Sequence, residues 1–209
     1  LSAFADGEAD ILVGTQMIVK GHDFPNVTLV GVLAADMSLH ISDYHAAERT
    51  FELLTQAAGR AGRGEVPGEV VIQTYQPEHY SIKTAKDQDY EAFYRQEIEY
   101  RKMMLYPPVF HLLVILCASK WEQRASDGAD ELLHEIDGIQ ELKKKIFPIG
   151  PADPAIARIN DIYRKVIYLK AEDYQNLVFV KDRLEKFVRD NTDYKDIVVQ
   201  FDFNPVNGF

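Results

Sequence analysis

The residues with the clearest chemical potential form the segment Gln56-Ala57-Ala58-Gly59-Arg60-Ala61-Gly62-Arg63. If a helix ends here, Gln56, Arg60 and Arg63 are spaced by four and three residues, so all three side chains can face one way. The glycines between them allow the backbone to approach a partner closely. Two arginines beside a helix end suit the spread negative charge of a transferring phosphoryl group. The spacing equally allows a solvated helix end at which the arginines offset the helix dipole.

A second segment, residues 11–27, reads I-L-V-G-T-Q-M-I-V-K-G-H-D-F-P-N-V. The apolar runs 11–14 and 27–35 are too continuous for strands with one wet face, which predicts two buried, parallel strands. The polar residues between them, punctuated by Gly21 and Pro25, predict a loop at the carboxyl end of a strand, where open α/β sheets bind ligands. Asp23 in this loop also suits an ordinary turn.

The elements that position these segments follow from periodicity. A helix over 44–58 and a strand over 69–74 complete half of a doubly wound domain, with too few strands to close a sheet. Residues 79–104 are amphipathic and helical up to the break at Tyr106-Pro107-Pro108. The rest has the split β-α-β-β-α-β order, predicted as strand 109–119, helix 122–136, strand 146–150, strand 161–170, helix 174–190 and strand 196–203, with 155–159 as one arm of a hairpin.

Composition excludes several classes of protein. The 209 residues are 46% hydrophobic, which excludes disorder, and no apolar run approaches the roughly 18 residues of a membrane span. A single cysteine, Cys117, excludes a disulfide framework and fits a cytoplasmic protein. Six histidines show no ligand spacing, so no metal site is expected. The net charge of −10 argues against coating nucleic acid through bulk positive charge, and the missing initiator Met predicts an excerpt of a longer protein.

The two segments together resemble motifs V and VI of superfamily 2 helicases, and the chain is similar to the bacterial primosomal replication-restart DNA helicases. The matching stretches are Gly14–Pro25, Glu48–Phe51 with Leu54, Gln56–Gly64, Gly68–Thr74, Asp89-Tyr90 with Phe93, Glu97 and Arg101, Tyr106-Pro107-Pro108, and Gly150-Pro151. Beyond them only Tyr163-Arg164 and the last strand resemble the family. The usual family ending D-x-D-P is Asp202-Phe203-Asn204-Pro205 here, so no role passes to Asn204.

The resemblance implies the C-terminal part of an ATP-dependent 3′ to 5′ DNA helicase, an ATP hydrolase that restarts stalled replication forks and loads the primosome. It implies ATP and Mg²⁺ in the full-length protein and zinc in an upstream cysteine-rich module that is absent here. The implied partners are forked and single-stranded DNA, single-strand-binding protein and other primosome proteins, with no membrane. Because neither a G-x-x-x-x-G-K-[ST] loop nor an Asp-Glu-x-His motif occurs, we expect the fragment alone to be inactive.

The resemblance also implies roles for residues of the first motif. Thr15 and Gln16 would contact the phosphates of the translocated strand. Gly21 would let the loop pack closely, and Asp23 would link the loop to the nucleotide and to the arginine motif.

In the second motif the resemblance implies contacts with ATP. Arg63 would be the arginine finger on the γ-phosphate, with Arg60 beside it. Gln56 would bond toward the nucleotide and the attacking water.

The predicted fold class is α/β: the latter half of a RecA-like helicase lobe, with a parallel sheet and helices, followed by an α+β split-βαβ, ferredoxin-like domain. The predicted divisions are 1–78 for the lobe with motifs V and VI, 79–108 for a helical connector and 109–209 for the C-terminal domain.

Charge is segregated within that C-terminal domain. Residues 122–141 carry a net charge of −6, and residues 142–170, here called the basic segment, carry +5. With tyrosines interleaved, the basic segment predicts a track for single-stranded DNA through Lys143, Lys144, Arg164 and Lys165. The alternative is a helix end followed by a solvated strand face. Trp121 is interpreted as a core anchor at the start of a helix, and the alternative is that it stacks on a base.

Two other functions remain open from the sequence. The chain could be a non-catalytic platform for DNA and proteins whose helicase half-lobe is vestigial, although the retained Arg60, Arg63 and Gln56 argue against this. An unrelated nucleotide-binding α/β protein would have to contain both motifs, in their expected order, by accident.

Overall fold

A computed structural model describes residues 1–15, 24, 26–41, 43–62 and 67–206. The chain divides into two compact units. The first unit comprises Leu1–Ile41 and His45–Glu97, and the second comprises Ser42–Tyr44 and Ile98–Phe209. The boundary between the units, at residues 97/98, falls inside the predicted helical connector. The functional divisions predicted from the sequence, 1–78, 79–108 and 109–209, remain predictions.

The first unit contains a parallel pair of strands flanked by helices. Strands β1 and β2 pair in parallel, with Leu29 opposite Glu69 and Val32 opposite Ile72. The elements in chain order are α1 (Ser2–Ala5), β1 (Leu29–Val32), a 3₁₀ helix (Ala35–His40), α2 (Ala46–Ala58), β2 (Glu69–Ile72), α3 (Tyr80–Lys86) and α4 (Tyr90–Met103), which continues into the second unit.

The core of the first unit forms where α2 packs on its neighbours. Phe51 and Leu54, one helical turn apart, are buried with Phe93 and Ile82. The Phe51 and Phe93 rings stack with centroids 4.3 Å apart. This apolar stripe at helical spacing is the pattern that predicted α2, and it fixes the helix that carries Gln56.

The residues predicted as a helical connector contain two helices, α3 and α4. Between α3 and α4, Gln88 has a positive φ of 53°, which an α-helix cannot contain. Asp89 then accepts a hydrogen bond from the backbone N–H of Ala92, 2.9 Å away, and so caps the start of α4.

The second unit has the predicted split β-α-β-β-α-β order. Its sheet follows the order β4-β6-β3-β7, all neighbours antiparallel, with the short β5 beside β6 as the arm of a hairpin. The elements are β3 (His111–Ser119), α5 (Glu122–Asp137), β4 (Ile146–Ala152), β5 (Arg158–Ile159), β6 (Ile162–Ala171), α6 (Tyr174–Asp190) and β7 (Val198–Phe203), with 3₁₀ turns at Gln140–Leu142 and Thr192–Tyr194.

Both faces of β3 are buried, because alternate residues of a strand face opposite sides. Leu113, Ile115 and Cys117 pack in the large core with residues of α5 and α6. Leu112, Val114 and Leu116 form a second cluster with Val166, against which the half-buried Tyr44 and Tyr168 pack. This two-sided burial explains why residues 112–118 are continuously apolar. The mixed parallel and antiparallel sheets confirm the predicted fold class.

The predicted strand at 11–14 is wrong. Residues 11–15 have no regular structure, and Ile11 and Val13 are 79% and 85% exposed. In the described part of the chain no strand runs beside this segment, so its backbone has none of the ladder hydrogen bonds that define a strand. The predicted strand at 27–35 is present as the shorter β1, but it is not buried: its residues alternate between exposed and half-buried.

Candidate functional site

Two backbone hydrogen bonds join the segments that the sequence singled out. The N–H of Gly62, just beyond α2, donates to the carbonyl of Val27 over 3.0 Å. The N–H of Glu69 donates to the carbonyl of Thr28 over 2.8 Å and begins the parallel pairing of β1 with β2. The end of the 11–27 segment and the end of the 56–62 segment therefore lie side by side, at the start of this strand pair.

This junction requires glycine at two positions. Gly62 has a φ of +70°, and a Cβ on it would collide with the backbone of Gly68. A Cβ on Gly68 would likewise collide with the backbone of Gly62 and Ala61. Two backbones can approach this closely only where both side chains are absent. The sequence predicted that the glycines of the 56–63 segment would let the backbone approach a partner, and the residue that Gly62 approaches here is Gly68.

The arginine motif begins on a rigid element. Gln56 is exposed on the last turn of α2, which ends at Gly59, and Arg60 is half-buried four residues after Gln56. The N–H of Arg60 donates to the carbonyl of Ala57 over 3.0 Å, which continues the helical course past Gly59. An amide and a guanidinium at this spacing offer hydrogen-bond donors that suit phosphate oxygens.

Other predicted residues of this site are only partly described. Thr15 is exposed and lies outside any helix or strand. Four of the predicted site residues lie outside the described residues, and their roles remain predictions: Gln16, Gly21, Asp23 and Arg63.

The donor set fits the phosphates of a nucleotide better than it fits a metal ion. Within the described ranges no three His, Cys, Asp or Glu side chains cluster in a way that could hold a metal. The Arg60 guanidinium is a hydrogen-bond donor only, which suits phosphate oxygens.

The cations of the predicted DNA track lie at two ends of β6. Ile146 pairs with Ala171 at one end of the sheet, and the exposed Lys143 and Lys144 lie in the turn just before it. Lys165 precedes Ala171 by six residues, a separation of about 20 Å along an extended strand. The track predicted as one basic segment is therefore divided into two groups.

At the second end, the two cations lie on opposite faces of the sheet and already have partners. Arg164 donates to the carbonyl of Ile156 over 3.2 Å. Lys165 pairs with Asp153 over 2.6 Å, with only 18% of its side chain exposed. Lys170, counted in the same basic segment, is buried and donates to the carbonyl of Met104. Lys143 and Lys144 are thus the most accessible of the four predicted contacts.

The only cysteine of the sequence, Cys117, lies buried in β3. Burial raises the pKa of the Cys117 thiol to about 12, so this cysteine stays protonated and unreactive at neutral pH.

Trp121, interpreted from the sequence as a core anchor, is 66% exposed, and that interpretation is wrong. Its neighbours Lys120 and Glu122 were the signal for exposure, since an anchor would sit in an apolar run.

Comparisons with known proteins find matches for residues in both units. Residues 102–206 match the family described as the primosomal protein N C-terminal domain, and residues 1–65 match the helicase conserved C-terminal domain. The chain belongs to the primosomal protein N family. No helix in the described part of this family member is long and apolar enough to cross a membrane.

Its relatives carry the name replication restart protein PriA. The protein of Bacillus subtilis (strain 168) is 46% identical over 206 residues, covering 98% of this chain and 25% of that protein. The protein of Synechocystis is 40% identical over 199 residues, which cover 95% of this chain and 24% of that protein. The protein of Treponema pallidum is 36% identical over 207 residues, which cover 99% of this chain and 31% of that protein. The chain thus spans about a quarter of the first two relatives and matches a C-terminal fragment of PriA.

Proposed function

We propose that this chain is the C-terminal part of an ATP-dependent 3′ to 5′ DNA helicase that restarts stalled replication forks and loads the primosome. The observation that carries the proposal is the junction of Gly62, Val27 and Gly68. This junction brings the two helicase segments together on one strand pair. Membership of the primosomal protein N family supports the same function.

In this proposal the junction transmits the state of the nucleotide to DNA. Arg63 is the arginine finger on the γ-phosphate, Arg60 supports it, and Gln56 bonds toward the nucleotide and the attacking water. The positions of Gln56 and Arg60 at the end of α2 support these roles, because a packed helix holds donors in a fixed direction.

The DNA side of the junction is the 11–27 segment. Thr15 and Gln16 contact the phosphates of the translocated strand, while Gly21 and Asp23 connect that contact to the arginine motif. The hydrogen bond from Gly62 to Val27 supports this coupling, since movement of one segment pulls on the other. Coupling of this kind needs two states, here the open and closed arrangements of two helicase lobes around ATP.

The full-length protein supplies what this chain lacks. ATP and Mg²⁺ are held by phosphate-binding motifs outside the chain, zinc belongs to an upstream module, and the chain alone hydrolyses no ATP. The partners are forked and single-stranded DNA, single-strand-binding protein and other primosome proteins. We assign no residues to the protein partners.

The test is Arg63→Ala in the full-length protein. We expect ATP turnover to fall by about 10³-fold while DNA affinity stays nearly intact, because a finger acts on transition-state charge. Arg95→Ala is the matched control: Arg95 is an exposed arginine 3.9 Å from Glu91, and its removal should leave ATP turnover unchanged. An equal loss of DNA binding in Arg63→Ala would contradict the finger role.

A second candidate function is a non-catalytic platform for DNA and proteins. The observation that favours it is the completeness of the second unit, which has a five-stranded sheet and its own core of α5, α6 and β3 residues. If Arg63→Ala leaves ATP turnover unchanged while removal of residues 109–209 abolishes DNA binding, the platform is the better description.

A further inference from the structure

A surface groove of about 660 Å³ lies where β3 leads into α5, at the end of the sheet formed by the β5–β6 hairpin. We call it the Trp121 groove. Its lining residues are Lys120, Trp121, Glu122, Gln123, Arg158, Asn160, Asp161, Ile162 and Tyr163. Arg158 and residues 160–163 belong to the basic segment, but none of the four cations of the predicted DNA track and none of the residues discussed above for ATP line the groove.

One wall of the groove carries an exposed indole. Trp121 occupies the N-cap position of α5, with an extended backbone (φ −115°, ψ 120°). The backbone N–H of Trp121 donates a hydrogen bond to the Ser119 hydroxyl over 3.3 Å. Ser119 and Ala125 on either side are buried, so the backbone here is fixed while the indole remains 66% exposed. A large aromatic face that the core does not use is typical of a binding surface.

The opposite wall is a preformed hairpin. Asn160 and Asp161 form its two-residue turn, both with positive φ, as a type I′ turn requires. Arg158 pairs with Asp161 over 2.6 Å, and its guanidinium lies 4.7 Å from the centroid of the Tyr163 ring. The cation and the second aromatic ring are therefore held in place before any ligand arrives.

The register of the sheet brings the two walls together. Tyr163 of β6 pairs directly with Ser119 of β3, two residues before Trp121. The two rings thus border the same groove, with Lys120 exposed between Ser119 and Trp121. Among the described residues Lys120 has no ion-pair partner, so its charge is available to an anion.

This combination matches the chemistry of an unpaired nucleotide. A base stacks on an aromatic face, its phosphate meets a cation, and its polar edge meets side-chain amides, here those of Gln123 and Asn160. A base inside a duplex cannot offer its face to the indole. Bulk charge contributes little, since Glu122 and Asp161 balance Lys120 and Arg158, so stacking dominates.

We propose that the Trp121 groove binds an unpaired nucleotide of single-stranded DNA, with the base stacked on Trp121 and the phosphate next to Lys120. This inference rests on the proposed function only in that the chain acts on DNA. It adds a site in the second unit that is separate from the lysines before β4.

The experiment uses the single tryptophan of the 209-residue chain, whose fluorescence reports on this groove alone. The chain is titrated with a labelled 12-residue oligothymidylate at low salt, and tryptophan emission and label anisotropy are recorded together. We expect saturable quenching with the same midpoint as the anisotropy. A duplex of the same length should leave the emission unchanged.

Three variants test the stacking. Trp121→Ala should weaken binding by about 10-fold or more, and Trp121→Phe should recover most of the affinity because it keeps an aromatic face. Phe179→Ala removes an exposed aromatic of α6 outside the groove and should change nothing. Because Trp121 is mostly exposed, all three variants should keep the parent circular dichroism spectrum.

The outcomes separate this proposal from the proposed function. DNA binding by anisotropy with unchanged emission and an unaffected Trp121→Ala would overturn the groove and leave a DNA role elsewhere in the chain. Equal quenching by duplex and single strand would also overturn it. Absence of any DNA binding would overturn the groove and remove the DNA role of the second unit as well.

Discussion

Four side chains of the second unit are linked by three ring contacts: Arg101 with Tyr44, Tyr44 with Tyr106, and Tyr106 with Lys170. The Arg101 guanidinium lies 5.5 Å from the Tyr44 ring centroid, the two tyrosine rings are 5.1 Å apart and nearly parallel, and the Lys170 ammonium lies 3.7 Å from the Tyr106 centroid. Both cations are 7% exposed. Burial lowers the pKa of the Lys170 ammonium, and the ring face offsets part of the cost of burying its charge.

Replacing Tyr106 should therefore destabilise the second unit more than replacing Lys170. Tyr106→Leu leaves a buried ammonium without its ring and should lower the free energy of unfolding by about 3 kcal/mol. Lys170→Met removes the charge with little change of volume and should cost about 1 kcal/mol. Urea denaturation followed by Trp121 fluorescence measures both. A Lys170→Met cost as large as that of Tyr106→Leu would contradict this account.

The same residues show where sequence reasoning stops at this scale. Trp121 was expected in the core and is exposed, while Lys170 was counted among the cations of the basic segment and is buried. Residue type gives an average burial preference, but the burial of one side chain depends on its tertiary neighbours, here Tyr106 and Met104 for Lys170.

Among the elements, α3 depends on a titratable cap. His79 occupies the N-cap position, and its Nδ1 accepts from the Ser81 N–H over 3.3 Å and lies 2.8 Å from the Ser81 hydroxyl. Burial lowers the pKa of His79, and the charge of Glu97 opposes this only in part. The folded state therefore favours the neutral ring, whose Nδ1 can act as the acceptor.

Stability of α3 should fall as the pH drops below about 6.5, the ordinary pKa of histidine. The unfolded chain binds the proton more readily than the folded chain, so acid favours opening. Between pH 7.5 and 5.5 we expect the opening free energy of α3, from amide hydrogen exchange corrected for intrinsic rates, to fall by about 1 kcal/mol, the value of a cap. His79→Asn keeps a cap acceptor that does not titrate here and should remove the pH dependence. An equal decrease in that variant would assign it to other groups.

The bounds of a helix or strand were predicted correctly where residues within or next to that element determine them. Helix α6, Tyr174–Asp190, has the predicted bounds, because its apolar stripe and the Asp173 cap are local signals. The prediction of a strand at 11–14 was wrong because a strand is defined by its hydrogen bonds to a neighbouring strand. An apolar run alone does not show that such a neighbour is present. At the candidate site, the glycines of the 56–63 segment predicted a close approach to a partner, but neither Gly68 nor Val27 was identified as that partner.

At the scale of the whole molecule, a net charge of −10 opposes any polyanion except where cations are concentrated. In the described part of the chain, few accessible cations of the predicted DNA track lie close together. Lys143 and Lys144 are exposed before β4, Arg164 is half-buried, and Lys165 is already paired with Asp153. Binding of single-stranded DNA by this chain should therefore involve about three phosphates, at Lys143, at Lys144 and at Lys120 of the Trp121 groove.

The salt dependence of binding measures that number. For single strands the slope of log K against log salt is about −0.7 per neutralised phosphate, so we expect a slope of about −2 for the parent chain. Lys143→Gln with Lys144→Gln should make it shallower by about 1.4. Lys83→Gln with Lys181→Gln changes the net charge equally but removes lysines already paired with Glu78 and Glu185, so it should leave the slope unchanged. Equal effects of the two double variants would mean that net charge governs the affinity, and that the lysines before β4 contact no phosphate.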